Sequence, residues 1–65
     1  MKPVIIKIND TFYINPKKII LNKDELVIYD RYDDRDWYRK DAILNVGERD
    51  VKSVVTAIRN WANGY

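Results

Sequence analysis

The chain has 65 residues, with twelve Lys and Arg against ten Asp and Glu, so its formal net charge is +2. This length predicts a single small domain, residues 1–65, which buries only about 60% of the surface that it exposes when unfolded. The sequence contains no His and no Cys, which excludes disulfides, thiolate nucleophiles, zinc–thiolate sites and the usual general base near neutral pH. We therefore expect a protein that is not an enzyme and holds no metal or cofactor.

Hydropathy and charge also limit the compartment and the partners. The longest aliphatic runs have three residues, far short of the ~20 needed to cross a bilayer. The N-terminus lacks the apolar stretch of a signal peptide, and the nearly balanced charge does not by itself indicate nucleic acid. We expect a cytoplasmic protein that does not insert into membranes. The abundance of Ile, Lys, Asn and Tyr, which have AT-rich codons, is typical of an AT-rich microbe or a bacteriophage.

The N-terminal residues predict a β-hairpin. Apolar side chains alternate over residues 3–8, as in a half-buried strand. The next two residues, Asn and Asp, both tolerate positive φ and predict a tight turn. Residues 11–15 are rich in β-formers and predict the returning strand, in which Phe12 and Ile14 share a face.

The middle of the chain predicts further short strands separated by polar turns. Asn15-Pro16 ends the hairpin, because the residue before a proline is driven out of helical conformation. Residues 42–46 predict either an extension of the last of these strands or a separate short one. The strands are predicted at residues 19–21, 26–30 (or to 32) and 37–40, with turns at residues 22–25 and 33–36.

The C-terminal residues predict an α-helix over about residues 49–63. Glu48 and Asp50 would lie near its first turn, where the helix dipole favours negative charge. Gly47 would precede the helix, and Gly64 stands where a glycine commonly ends one. The apolar side chains recur with the spacing of one helical stripe, at Val51, Val54, Val55, Ile58, Trp61 and Ala62.

These elements predict an α+β fold, an antiparallel β-meander of four or five strands with one C-terminal amphipathic helix packed on one sheet face. A helix with a single apolar stripe must bury it, and the sheet offers the only large surface. The opposite sheet face is then left to solvent or to a partner. We expect the helix to pack against Ile6, Ile8, Phe12, Ile14, Ile20 and Ile28.

The order of hydrophobic segments resembles that of small flagellar accessory proteins of the FlbD/SwrD type. The resemblance covers about residues 5–58, and the charged residues 30–41 replace a short glycine turn of that family. It implies a small cytoplasmic accessory protein that acts through other proteins. The matching segments are Asn9, Phe12-Tyr13-Ile14-Asn15, Ile19-Ile20, Leu26-Val27-Ile28 and Asp50-Val51-Lys52-Ser53-Val54-Val55.

The charged tract, residues 30–41, is the main candidate for a binding surface. It holds three aromatic residues, three arginines, one lysine and five aspartates. Trp, Tyr and Arg are the types enriched at binding hot spots. The alternative is a solvated hairpin in which Tyr32 lies opposite Trp37 and Asp30 opposite Arg39. The residues that we expect to bind a partner are Tyr32, Arg35, Trp37, Tyr38 and Arg39.

Three other groups of residues are candidate sites by residue type and spacing. The aspartates of the charged tract lack the spacing of an EF-hand loop, and the arginines among them repel a cation. Trp61 belongs either to the core or, with Tyr65, to an exposed aromatic patch that closes a homodimer. Basic and aromatic residues on a sheet can bind a nucleic acid, or they can form a solvated strand edge. The residues of this kind here are Lys7, Tyr13, Lys17 and Lys18.

Together these features favour a non-enzymatic module that binds another protein and modulates or inhibits it. A phage-encoded inhibitor and a small bacterial accessory factor both fit the size and composition. The first alternative is a nucleic-acid-binding module that uses the free sheet face. The second is a structural homo-oligomer, which the thin core would favour.

Overall fold

The computed structural model describes residues 3–64, in which six strands and one α-helix form two antiparallel sheets and a C-terminal layer. Sheet A has the strand order β2-β1-β6 and sheet B has the order β3-β4-β5. The predicted α+β class and C-terminal helix are confirmed, but the strands number six and divide between two sheets. The elements are β1 (Ile5–Ile8), β2 (Thr11–Ile14), β3 (Lys18–Leu21), β4 (Glu25–Tyr29), β5 (Arg35–Arg39), a 3₁₀ turn (Lys40–Ala42), β6 (Val46–Arg49) and α1 (Ser53–Ala62).

The first hairpin forms as predicted, but its core face differs from the prediction. Asn9 adopts a φ of 52° in the turn. The two-residue turn places Ile6 opposite Tyr13, so Tyr13 shares the inner face of β1 and is only 4% exposed. Phe12 and Ile14 therefore point outward and are 56% and 46% exposed. Their predicted place in the core was wrong, because the length of the turn sets which residues of the two strands share a face.

In strand β3, too, the residue that faces the core differs from the prediction. The backbone N–H of Asn22 donates to the carbonyl of Glu25 at 2.9 Å and closes the turn between β3 and β4. This register pairs Ile19 with Ile28 on the inner face, where Ile19 packs against the core. Ile20, which was predicted to be in the core, pairs with Val27 on the opposite face.

The loop between β4 and β5 overturns the predicted pairing in the charged tract. One carboxylate oxygen of Asp30 accepts hydrogen bonds from the backbone N–H groups of Tyr32 and Asp34, at 2.8 and 2.9 Å. This closes the loop over residues 30–34, and Tyr32 lies at its tip. Trp37 pairs with Val27 and Arg39 with Glu25. Tyr32 therefore does not lie opposite Trp37, nor Asp30 opposite Arg39.

The predicted start of the helix, at about residue 49, was also wrong. Strand β6 takes residues 46–49 and pairs with β1, so that Gly47 lies opposite Lys7 inside a strand. A turn at Asp50 (φ 62°) then leads to the helix, which begins at Ser53 and has no acidic residue in its first turn. Gly64 follows the helix with a φ of 87°, as predicted. Pairing of β6 with the second edge of β1 satisfies backbone groups that would otherwise be open.

The helix buries its predicted apolar stripe against the inner faces of the strands. Trp61 belongs to this core, and its indole Nε1 donates to the backbone carbonyl of Asn22 at 2.5 Å. Within residues 3–64, no helix is long and apolar enough to span a membrane. The fully or nearly fully buried core residues are Ile6, Ile8, Tyr13, Leu26, Ile28, Val46, Val51, Val55, Ile58 and Trp61.

We expect Val55→Asp to unfold the protein. Val55 is fully buried, and an unpaired carboxylate there costs several kcal/mol, which is comparable to the ~3–10 kcal/mol that holds a chain of this length together. Thr56→Asp is the matched control, because Thr56 is the exposed next residue of the same helix. Circular dichroism should show loss of cooperative melting only for Val55→Asp. A Tm near that of the wild type for both variants would contradict the packing of the helix.

Candidate partner-binding surface

The inner side of β5 is fixed by two tyrosines. The hydroxyl of Tyr13 donates a hydrogen bond to Asp36 Oδ2 at 2.7 Å and also contacts the hydroxyl of Tyr38. The two tyrosine rings meet edge to face, with centroids 6.3 Å apart and an interplanar angle of 87°. Tyr38 packs against the core. It therefore faces the interior and does not join the surface that the sequence predicted for it.

Burial and these contacts change the ionisation of Tyr13. Removal from solvent raises the pKa of its hydroxyl above the ordinary value. The hydrogen bonds to Tyr38 and Asp36, and the negative charge of Asp36, raise the pKa further. Tyr13 is thus a neutral bridge between the two sheets across the whole physiological pH range.

The opposite side of sheet B is the outer face, which carries eight side chains in three rows across the strands. Within each row, residues lie directly opposite one another in the ladder. Side chains opposite one another on one face of a sheet lie close enough to contact a single ligand together. The rows are Lys18, Tyr29 and Arg35; then Ile20, Val27 and Trp37; and then Glu25 and Arg39.

Trp37 lies in the middle row of the outer face and is 64% exposed. The guanidinium of Arg35 stacks over its ring, 4.6 Å from the centroid. Val27, beside Trp37, is only 7% exposed although it lies outside the main core cluster. The outer face thus has a small apolar centre beside an exposed tryptophan and an arginine, two of the residue types enriched at binding hot spots.

Cations outnumber carboxylates on the outer face by three to one, Lys18, Arg35 and Arg39 against Glu25. Arg39 approaches Asp41 at 3.9 Å, but both side chains are exposed and the pair is weak. Within residues 3–64, neither Lys18 nor Arg35 has a carboxylate oxygen within 4.0 Å. The aspartates of the charged tract lie in the loop, on the inner side or beyond the strand, so the outer face is positive.

Tyr32 lies apart from the outer face. It is 71% exposed at the tip of the loop, where the guanidinium of Arg31 lies 4.9 Å from its ring centroid. A shallow groove of about 190 Å³ joins Tyr32 to Phe12 and Ile14 of sheet A. Of the five residues predicted to bind a partner, the fold therefore brings together Arg35, Trp37 and Arg39 and separates Tyr32 and Tyr38 from them.

The residues suggested for nucleic acid do not form one surface. Lys7 lies on the outer side of sheet A, with Nζ 5.6 Å from the ring centroid of Phe12. Lys17 pairs with Asp33 at 3.3 Å, and Tyr13 is buried. Only Lys18 of this set lies on the outer face of sheet B. Trp61 is buried too, so it offers no exposed ring to a homodimer, and Tyr65 lies outside the described residues.

Two other regions offer no comparable grouping of reactive side chains. A mainly apolar groove of about 580 Å³ lies between β3 and α1, and its polar side chains are Lys17, Lys18 and Ser53. Within residues 3–64, no group of three or more acidic side chains is placed to hold a metal ion. The exposed charge and aromatic area of sheet B is the stronger candidate.

The sequence did not indicate that Tyr29, Ile20 and Val27 lie on the outer face. The signal that could have found them is the register of the turn at residues 22–25, which sets the alternation of β3 and β4.

The sequence matches no protein-family model, and neither a curated protein nor a solved structure matches the chain. The candidate surface is therefore defined by the geometry of the molecule alone.

We expect Tyr13→Phe to lower the free energy of unfolding by about 1–2 kcal/mol at pH 7, because Asp36 loses its hydrogen-bond donor. The raised pKa of Tyr13 adds a pH dependence. Above pH ~10 the unfolded tyrosine releases a proton that the folded one retains, so wild-type stability falls by up to about 1.4 kcal/mol per pH unit. Phenylalanine cannot ionise, so the difference between variant and wild type should shrink from pH 10 to 11.

Urea denaturation from pH 7 to 11 measures this difference. Tyr32→Phe is the matched control, because Tyr32 is exposed in its loop and its substitution should leave stability nearly unchanged. A destabilisation by Tyr13→Phe that stays constant to pH 11 would contradict the bridging role of Tyr13.

Proposed function

We propose that this chain is a non-enzymatic, cytoplasmic module that binds another protein through the outer face of sheet B and modulates or inhibits it. A phage-encoded inhibitor or a small bacterial accessory factor fits this role. The supporting observation is Trp37, which is 64% exposed at the centre of a folded sheet and stacked under Arg35. Its side chain contributes little to the core, so its exposure is best explained by a partner that covers it.

The size of the apolar contact supports this proposal. Covering the exposed part of one indole, about 150 Å², stabilises a complex by about 4 kcal/mol before the entropic cost of association. Arg35 and Arg39 on either side of Trp37 add charge-assisted hydrogen bonds to a partner that carries carboxylates. A protein partner provides both kinds of contact at once.

A single-stranded nucleic acid is the second candidate for the same face. Lys18, Arg35 and Arg39 surround the exposed ring of Trp37, and bases stack on aromatic side chains while cations hold the phosphates. Against it, Tyr13 and Lys7 are withdrawn from this face, which leaves Trp37 as its one largely exposed ring. The protein partner is therefore the better supported of the two.

Photocrosslinking in the native host tests the proposal. A benzophenone amino acid replaces Lys18, on the outer face, in the wild-type background and with Trp37→Ala. Position 44 is the control, because Leu44 is 88% exposed but lies outside both sheets. We expect a discrete adduct from position 18 that Trp37→Ala reduces at least about tenfold, with none from position 44.

Digestion of the adduct identifies the class of partner. Sensitivity to protease but not to nuclease supports a protein, whereas sensitivity to nuclease supports the second candidate. Circular dichroism should show that Trp37→Ala folds, since Trp37 lies outside the core cluster. An adduct that forms equally with and without Trp37, or equally from position 44, would contradict the proposed surface.

A further inference from the structure

The free edge of sheet B offers main-chain groups as well as side chains. Hydrogen bonds of 2.9 Å from Asp30 N–H to Asp34 O and from Lys40 N–H to Asp24 O stand at the two ends of the β4–β5 ladder. Bonded pairs alternate along an antiparallel ladder, so the residues of β5 between them that bond to β4 are the even-numbered ones. The N–H and C=O groups of the odd-numbered residues point away from the sheet.

These odd-numbered residues are Arg35, Trp37 and Arg39, whose side chains lie on the outer face. Within residues 3–64, no backbone hydrogen bond to another element occupies their outward groups. Tyr13 approaches β5 from the inner side, through Asp36 and Tyr38, so it does not cover the outer side of this edge. One extended segment can therefore contact the backbone and the side chains of all three residues at once.

We propose that β5 binds an acidic, extended segment of a partner protein by strand addition, an inference that rests on the proposed function. The segment pairs with the open edge of β5 and extends sheet B by one strand. Its carboxylates lie opposite Arg35 and Arg39, and an apolar side chain between them lies beside Trp37. The three-to-one excess of cations on the outer face is what selects an acidic segment over a neutral one.

The same charges argue against a second copy of this chain at the edge. An antiparallel pair of β5 strands centred on Trp37 would place Arg35 of each copy opposite Arg39 of the other. Like charges directly opposite one another destabilise a strand pair, and charged edge strands are a common protection against self-association. The open edges of β2 and β3 carry no comparable charge pattern, since their outward backbone groups belong to apolar residues.

A synthetic peptide tests the charge requirement by isothermal titration calorimetry. The probe is a capped heptapeptide, Thr-Glu-Thr-Val-Thr-Glu-Thr, with a second peptide that carries Lys in place of both Glu. Wild-type protein should bind the Glu peptide at least about tenfold more tightly than the Lys peptide. The double variant Arg35→Glu with Arg39→Glu should reverse the preference, and it should fold because both side chains are exposed.

Two methylated forms of the Glu peptide test strand addition. In antiparallel pairing the residues directly opposite one another exchange both hydrogen bonds, so N-methylation of both glutamates and the valine blocks the edge that faces β5, and N-methylation of the two inner threonines blocks the opposite edge. Parallel pairing reverses the two assignments, so only one of the two forms should lose binding. Equal loss or equal retention with the two forms would overturn strand addition, and binding that the charge reversal leaves unchanged would overturn the acidic segment.

The outcomes separate this inference from the proposed function. Failure of the peptide to bind, while the crosslink at position 18 still depends on Trp37, would reject the acidic segment and retain the partner-binding face. A seven-nucleotide oligothymidine that binds more tightly than the Glu peptide would also reject the inference, in favour of a nucleic acid. Loss of the crosslink as well would reject the proposed function itself.

Discussion

The contact of the Tyr13 hydroxyl with Asp36 and Tyr38 determines which side of β5 faces the core. Side chains alternate strictly along a strand, so a shift of one residue would exchange the inner and outer sets. With Asp36 and Tyr38 held inward by a buried hydroxyl from the other sheet, Trp37 has no position except the outer face. This polar contact on the far side of β5, together with the Asp30 loop that sets the pairing of β5 with β4, keeps Trp37 on the outer face.

The core and the candidate surface are separate in space. The helix and the inner faces of both sheets hold the apolar cluster, and the outer face of sheet B holds a smaller one around Val27. Trp37 and Arg35 can therefore change without removing core contacts. In this small domain with a thin core, the exposed side chains of β5 lie on a strand whose other side packs against the core through Tyr38.

Much of the fold could be predicted from the sequence, but which side of each strand faces the core could not. The helical stripe around Val55 needs only a period of 3.6 residues and was correct. Phe12 was misplaced, and so was Ile20, because their faces depend on the register set by turns. The pairing of Trp37 depended on the side chain of Asp30, which accepts two backbone hydrogen bonds and closes its loop. Such local polar contacts have no periodic signature.

Amide hydrogen exchange along β5 of the free protein tests the central claim most directly. The N–H groups of Asp36 and Tyr38 bond to β4, whereas those of Arg35, Trp37 and Arg39 point to the open edge. NMR-detected exchange should therefore alternate, slow at the two even positions and close to the unprotected rate at the three odd ones. Protection of Trp37 together with fast exchange of Asp36 would show a register shifted by one residue and contradict the proposed surface.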